Sequence, residues 1–269
     1  MKCCICGPVK NCGPYLDKVF KNIEKITSLF EDYVIIIYYD KSDDDTLIKL
    51  KNYQLQNNKM KFYINTCPVS KYRTHNIAKA RNFCIAEIKE NYSDFPFFIM
   101  MDFDDVNCKN VHPEIIEKYL HRQDWDCLSF NTSPDYYDIW GLSIYPYCFS
   151  YNHFKQSVEY YSIIQKYVEN LLVKLPENEL LKCFSAFNGF AIYKTNKFLN
   201  CKYDGRVRVD LLPSFFLKKH MLATNSPMIY KDYGNVNGYF EDCEHRAFHL
   251  QAIQLNNAEI KIACDKLFT

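Results

Sequence analysis

Residues 33–39 read Tyr-Val-Ile-Ile-Ile-Tyr-Tyr, an unbroken β-branched and aromatic run that stops at Asp40. A strand with no polar face has to be covered on both sides, so this one segment demands a sheet with a layer above it and a layer below it. The neighbouring segments supply the layers. Leu16, Val19, Phe20, Ile23, Ile26 and Phe30 recur at helical spacing behind Pro14, and Ile77, Ala80, Arg81, Cys84, Ile85 and Ile88 do so again. Residues 2–5, 61–64 and 97–101 are further short strands, the first followed by a turn over Gly7-Pro8. An acidic loop over residues 40–46 leads into another helix that ends near Gln56. Strand and helix thus alternate through the first hundred residues, the pattern of a Rossmann-like, mostly parallel central sheet flanked by helices.

The second half is less regular. Strands are expected at 127–130, 190–193, 228–230 and 260–263, with helices over 153–174 and 241–255, and the aromatic stretch 134–150 has no clear period. No repeat or low-complexity linker divides the chain, so it is expected to form a single domain over 1–269, with an elaborated C-terminal half. The 13 cysteines follow no paired CxxC spacing, and Cys3, Cys4, Cys6 and Cys12 are expected as buried small hydrophobes in a reducing compartment. Thirty-three Lys and Arg against 32 Asp and Glu leave a net charge of +1, too small a field to draw the chain onto nucleic acid or an anionic membrane. No stretch reaches the ~20 apolar residues that span a bilayer.

Parallel sheets bind ligands outside the carboxyl ends of their strands, where loops converge. Asp40 and the segment Met101-Asp102-Phe103-Asp104-Asp105 both stand at such ends. The glycine patterns that cradle phosphates, GxGxxG and GxxxxGK[ST], are absent, so a nucleotide would have to be held by carboxylates, a metal and basic side chains. Side chains alternate along an extended segment, which puts Asp102 and Asp104 on one side, able to share a hard divalent ion such as Mg²⁺ or Mn²⁺. The competing reading is a solvated acidic turn in which Asp105 caps the next element. Arg81 lies on the apolar face of its helix, and Arg73 about one turn before that helix. Arg81 is expected either as a structural ion pair, as a bridge organising the acid cluster, or as a phosphate ligand.

Near the far end, Glu241-Asp242-Cys243-Glu244-His245-Arg246-Ala247-Phe248-His249 concentrates polar groups on one expected helix. His245 and His249 have the spacing of a zinc helix, but Arg246-Ala247 replaces the Glu-containing interior of HExxH, so a self-contained zinc peptidase is not expected. A carboxylate here, Asp242 or Glu244, suits a general base, and His245 could add a third ligand to a metal at Asp102 and Asp104.

Taken together, the alternating first half, Ala80-Arg81-Asn82 and Asp102-Phe103-Asp104 resemble a GT-A glycosyltransferase. The resemblance implies that Asp102 and Asp104 are the two acids of a DxD motif holding Mn²⁺ or Mg²⁺ and the diphosphate of a nucleotide sugar, that Asp40 meets the base, and that Arg73 or Arg81 is its basic partner. It divides the domain into a nucleotide-sugar half, 1–107, and an acceptor and catalytic half, 108–269. The blocks Tyr137-Asp138-Ile139-Trp140-Gly141-Leu142, Phe187-Asn188-Gly189-Phe190-Ala191-Ile192-Tyr193-Lys194 and Cys243-Glu244-His245 are similar to the branch that includes fungal capsule-associated mannosyltransferases and large-DNA-virus enzymes. Leu142-Ser143 stands where that branch often has an Arg. The membrane anchor and stem of cellular relatives have no counterpart, which implies a soluble catalytic domain in the cytoplasm, or in a host's cytoplasm or virion. The expected reaction is metal-dependent transfer of a sugar to a glycan or glycoprotein hydroxyl, with inversion. Two other classes compete: a sugar nucleotidyltransferase, expected to carry a Gly-rich basic loop near its N-terminus, and a non-catalytic carbohydrate-binding or virion-associated protein using Tyr136, Tyr137, Trp140 and Tyr145 to stack on sugars.

Overall fold

The computed structural model describes residues 1–149, 157–225 and 241–269. Its element order is β1 (Lys2–Val9), α1 (Gly13–Thr27), β2 (Asp32–Tyr39), α2 (Thr46–Gln56), β3 (Met60–Ile64), α3 (Arg73–Asn91), β4 (Phe97–Met101), α4 (Pro113–Leu120), β5 (Cys127–Asn131), α5 (Ser157–Val173), β6 (Leu181–Cys183), β7 (Phe190–Lys194), α6 (Ser214–Thr224), α7 (Glu244–Asn256) and β8 (Ile260–Lys266). These strands form one sheet in the order β3-β2-β1-β4-β7-β5-β8-β6. The first four pair in parallel, as the alternation predicts, and β7 enters antiparallel between β4 and β5.

Both faces of the sheet are covered. Side chains alternate along β1, so Cys4 and Cys6 pack with Val34, Ile36, Phe98 and Met100 against α3 and α7, while Cys3 and Ile5 pack with Ile35, Ile37 and Ile99 against α1 and α4. The cysteines of β1, and Cys12 beyond it, are therefore core residues, and burial raises their thiol pKa values. Among the described residues no helix is long and apolar enough to cross a membrane.

Several boundaries differ from the sequence reading. Gly7-Pro8 belongs to β1 and is no turn. Val9 O accepts from Asp40 N at 2.9 Å, so the neighbouring Pro8 nitrogen faces the β4 side, where pairing has already ended at Cys6 and Met100. A missing N–H costs nothing there. The helix expected from about Ile77 starts four residues earlier, at Arg73. No side chain of the preceding residues caps α3. Glu241 does so from the far end of the chain, its Oε2 accepting from Thr74 N at 2.8 Å and Thr74 Oγ1 at 3.0 Å. That long-range cap stands where a local Ser or Asp would signal a helix start in the sequence. The final helix begins at Glu244 and not at 241. Helices α4 and α6 and strand β6 were not expected, and the strand expected over 228–230 lies outside the described residues.

Gly7 sits at the closest approach of β1 to the end of β4. A Cβ there would lie 2.1 Å from Met101 O and 3.0 Å from the Phe103 ring. Gly7→Ala is expected to push these backbones apart and lower stability by about 1–3 kcal/mol, visible in thermal denaturation as a fall of several degrees; an unchanged melting temperature would contradict the packing described.

Candidate functional site

The carboxyl ends of β1 to β4 open into a cleft of about 450 Å³ whose other wall is the first turns of α3. Lys10 follows β1, Asp40 follows β2, Asn65 follows β3, and Asp102 and Asp104 follow β4, while Arg73, Lys79 and Arg81 line the cleft from α3. Acidic and basic side chains therefore face each other across a space of nucleotide size.

The backbone of Asp102 is fixed by β7. Asp102 N donates to Gly189 O at 2.9 Å, and the buried Asn107 amide donates to both Asp102 O and Gly189 O at 2.7 Å. Two residues on, Asp104 and not Asp105 caps the short 3-10 turn Asp105–Cys108, its side chain accepting from Val106 N at 3.3 Å. Asp102 and Asp104 both line the cleft. Burial pushes the Asp102 carboxyl up to about 7, with Asp104, Glu244 and Asp138 adding to the rise and Arg81 opposing it. Burial likewise raises Asp104.

Arg81 joins the two ends of the chain. Its side chain is 4% exposed, with Nη2 2.8 Å from Asp102 Oδ1 and Nε 3.1 Å from Glu244 Oε1. The guanidinium lies over the Phe187 ring at 4.4 Å, and Nη1 contacts His245 Nε2. Of the roles the sequence left open, the geometry is that of the bridge to the acid cluster. Arg73 lines the same cleft and, as a smaller contribution, opposes the rise that burial gives the Asp104 and Glu244 carboxyls. Two guanidinium groups, Arg81 and Arg73, thus stand near three carboxyl groups, Asp102, Asp104 and Glu244. Asp40 accepts from Asn65 Nδ2 at 3.1 Å and has Lys10 at 3.9 Å. Asn65 is itself oriented by Tyr38 Oη and Cys67 N, which donate to its Oδ1.

The 241–249 segment reaches the same region, but not with acids turned toward water. Asp242 is buried and its Oδ2 accepts from Arg246 Nε at 2.8 Å. Glu244 is buried against Arg81, and burial raises its pKa. His245 departs from the expectation of a metal ligand: Arg81 stands between it and Asp102, one guanidinium nitrogen on each. Its ring nitrogen is occupied and, by burial and the adjacent charge of Arg81, stays neutral. Among the described residues no group of three or more His, Cys, Asp or Glu is placed to hold a metal ion.

Sequence reasoning missed Arg246, Glu241, Asn188 and Asn107. Arg246 Nη1 donates to Leu142 O at 2.9 Å and also reaches Ser143 Oγ, tying α7 beneath the 138–143 loop. Asn188, at φ 56°, accepts from Asp138 N at 3.1 Å and donates to Phe130 O at 2.9 Å. The available signal was in α7 itself, where Glu244, His245, Arg246 and His249 point in different directions and leave no face apolar enough to be the single core-facing one.

Arg81→Met should leave Asp102 and Glu244 without their cation, costing ~3–5 kcal/mol near pH 8. Without the guanidinium their folded-state pKa values climb further above the unfolded ones, so the folded state holds protons that the unfolded state has lost. Stability supplied by that protonation is present at low pH and lost as pH rises through the folded pKa. The deficit against the unsubstituted protein should therefore be smaller at pH 5 than at pH 8 in denaturant titrations; equal deficits would contradict the ion-pair account.

The sequence profile described as Glycosyl transferase family 2 matches residues 4–178, which include Asp40, Arg73, Arg81, Asp102 and Asp104. No curated protein matches the chain. Among solved structures, Staphylococcus aureus TarS 1–349 is 13% identical with a TM-score of 0.49, over 100% of this chain and 59% of that one. The mannosyltransferase PcManGT from Pyrobaculum calidifontis, in complex with GDP-Man and Mn²⁺, is 12% identical with a TM-score of 0.47, over 76% and 47%. Glucosyl-3-phosphoglycerate synthase from Mycobacterium tuberculosis, in complex with Mn²⁺, UDP and phosphoglyceric acid, is 13% identical with a TM-score of 0.41, over 74% and 57%. The chain thus spans roughly half to three fifths of the length of these structures. On the match across nearly two thirds of its length, and with the mostly parallel, helix-flanked sheet of the GT-A architecture, the chain belongs to glycosyl transferase family 2.

Proposed function

We infer that the protein transfers a sugar from a nucleotide-diphosphate sugar to an acceptor hydroxyl on a glycan or glycoprotein. The observation that carries this reading is the cleft itself: carboxylates at the ends of β2 and β4 face the cationic first turns of α3. Family membership supports the same class of reaction. The Gly7-Pro8-Val9 segment is strand and Gly13 opens α1, so no Gly-rich phosphate loop is formed there, which favours transfer of a sugar over nucleotidyl transfer.

Asp102 and Asp104 fit a divalent cation. They line the same cleft, they are oxygen donors, and burial raises both carboxyl pKa values, with Asp104 adding to the rise at Asp102 and Asp105 to that at Asp104. With two protein carboxylates and no third ligand cluster among the described residues, water and the donor's own diphosphate would complete the shell. Bound Mn²⁺ or Mg²⁺ supplies charge neutralisation for the departing diphosphate. Asp40, oriented by Asn65, suits the N–H edge of a base, and Arg73 suits a phosphate oxygen.

The acceptor oxygen forms its bond to the sugar's anomeric carbon from the face opposite the bond to the nucleoside diphosphate. That bond breaks, the diphosphate departs with the electron pair, and the hydroxyl proton goes to a protein carboxylate, giving inversion. Asp242 and Glu244 are the candidates for that base. Glu244 is tied to the donor side through Arg81, and Asp242 to the 138–143 loop through Arg246. The narrower reading, kinship with capsule-associated and large-DNA-virus transferases, rests on the resemblance of the blocks around Tyr137, Phe187 and Cys243.

Asp102→Asn and Asp104→Asn are expected to keep the fold and to abolish most of the Mn²⁺-dependent gain in UDP or GDP affinity measured by calorimetry; an undiminished gain in both variants would remove the metal assignment. With a panel of nucleotide sugars, the base variant among Glu244→Gln and Asp242→Asn should bind donor normally yet transfer sugar ~100-fold more slowly. Normal transfer by both would place the base outside this segment.

A further inference from the structure

Beneath the cleft, a line of buried polar groups crosses the core between α3 and the 138–143 loop. Arg81 Nη1 contacts His245 Nε2. His245 Nδ1 lies 3.5 Å from Tyr193 Oη, which lies 3.1 Å from His249 Nε2. His249 Nδ1 is 3.1 Å from Ser185 Oγ, and Ser185 Oγ is 2.7 Å from Gly141 O. Tyr193, His249 and Ser185 are fully buried, and His245 and Arg81 nearly so. None of Tyr193, His249 and Ser185 faces the cleft or enters the reaction described above.

The two ends of this line fix its direction. A guanidinium can only donate and a peptide carbonyl can only accept. Arg81 must therefore donate to a bare His245 Nε2, which leaves the His245 proton on Nδ1, pointing at Tyr193. Tyr193 Oη accepts it, so its own proton goes to His249 Nε2. His249 then carries its proton on Nδ1, gives it to Ser185 Oγ, and the Ser185 hydroxyl donates to Gly141 O. Within the line every donor meets an acceptor; Cys127 Sγ, 3.7 Å from His249 Nε2, and Glu244 Oε1, 3.6 Å from His245 Nε2, border it. Reversing a bond within the line would set two N–H or O–H groups against each other or strand an acceptor in the core. Both imidazoles must be neutral for the line to close, and burial holds them so, His249 down to about 3.

The far end bears on the acceptor side. Gly141 N donates to Asp138 Oδ1 at 2.9 Å, and the same aspartate accepts from Asn188 N at 3.2 Å. We propose that Tyr193, His249 and Ser185 are positioning residues, a one-way hydrogen-bond chain that sets the Arg81–Asp102–Glu244 bridge and the Asp138–Gly141 loop in fixed relation across the core. Aligned bonds of this kind polarise one another, so a break at one link is felt at the others. The kinetic consequence rests on the glycosyltransfer reading, whereas the proton arrangement does not.

Long-range ¹H–¹⁵N spectra of the histidine rings in the unsubstituted full chain test the arrangement without any substrate. Nδ1–H tautomers at both His245 and His249 are expected, and an Nε2–H tautomer at either overturns the chain. Ser185→Ala then removes the last two links, and the His245 ring resonances, three links from Ser185, should shift; unmoved His245 signals would show separate contacts and no chain. Tyr193→Phe keeps the ring stacked on Phe98 and removes only the hydroxyl. In steady-state hydrolysis of a nucleotide sugar it should lower kcat about 10-fold with KM within ~2-fold, and combining it with Ser185→Ala should cost little more than the worse single change. Unaltered kcat, or effects that multiply, would refute the positioning role. A protein that shows both tautomers and the shift but hydrolyses no nucleotide sugar would leave the chain standing and overturn the proposed function instead.

Discussion

The architecture of the site depends on the buried guanidinium of Arg81. It carries a positive charge into the protein between Asp102, at the end of a central strand, and Glu244, at the start of the last long helix. Burying charge is tolerable only when partners compensate it, and the same demand works in both directions: the carboxylates need the cation, and the cation needs both carboxylates. The consequence is that α7, from the C-terminal end of the chain, cannot pack without bringing Glu244 and His245 to the edge of the parallel sheet. Glu241, capping α3 through Thr74, and Gly205, whose missing side chain allows contact with the Thr74 backbone, draw the same elements together.

The cleft carries a second consequence. Arg81 pairs with Asp102 and Glu244, and Asp104 lines the cleft beside them. Basic groups on the first turns of α3 stand opposite. Under the proposed function, the ligand for such a site is one that is itself anionic and brings a cation with it, as a metal-bound diphosphate does.

How much of this was legible beforehand follows from the range of the interactions. The strands of the first half were readable because a run such as residues 33–39 encodes burial on both faces within one segment, and the carboxyl-end location of Asp40, Asp102 and Asp104 came with them. Arg81 was readable as an anomaly, a charge on an apolar helical face, but its partner Glu244 lies far away in sequence and no local pattern names it. The start of α3 was misread for the same reason, since its cap comes from Glu241. Gly7-Pro8 looked like a turn because residue type alone does not show that β4 pairing has already ended beside it. The tie from Arg246 to the 138–143 loop is long-range too, and that loop has no period to read.

The central claim is that a divalent cation and a diphosphate meet at the end of β4, beside the Arg81 bridge. Paramagnetic broadening of the protein's backbone amide spectrum by substoichiometric Mn²⁺, recorded with UDP and then with GDP, tests it most directly. The account predicts that one of the nucleotides concentrates the broadening on Asp102, Phe103 and Asp104, and that excess Mg²⁺ reverses it. Broadening centred elsewhere, or an identical pattern with and without nucleotide, would contradict it.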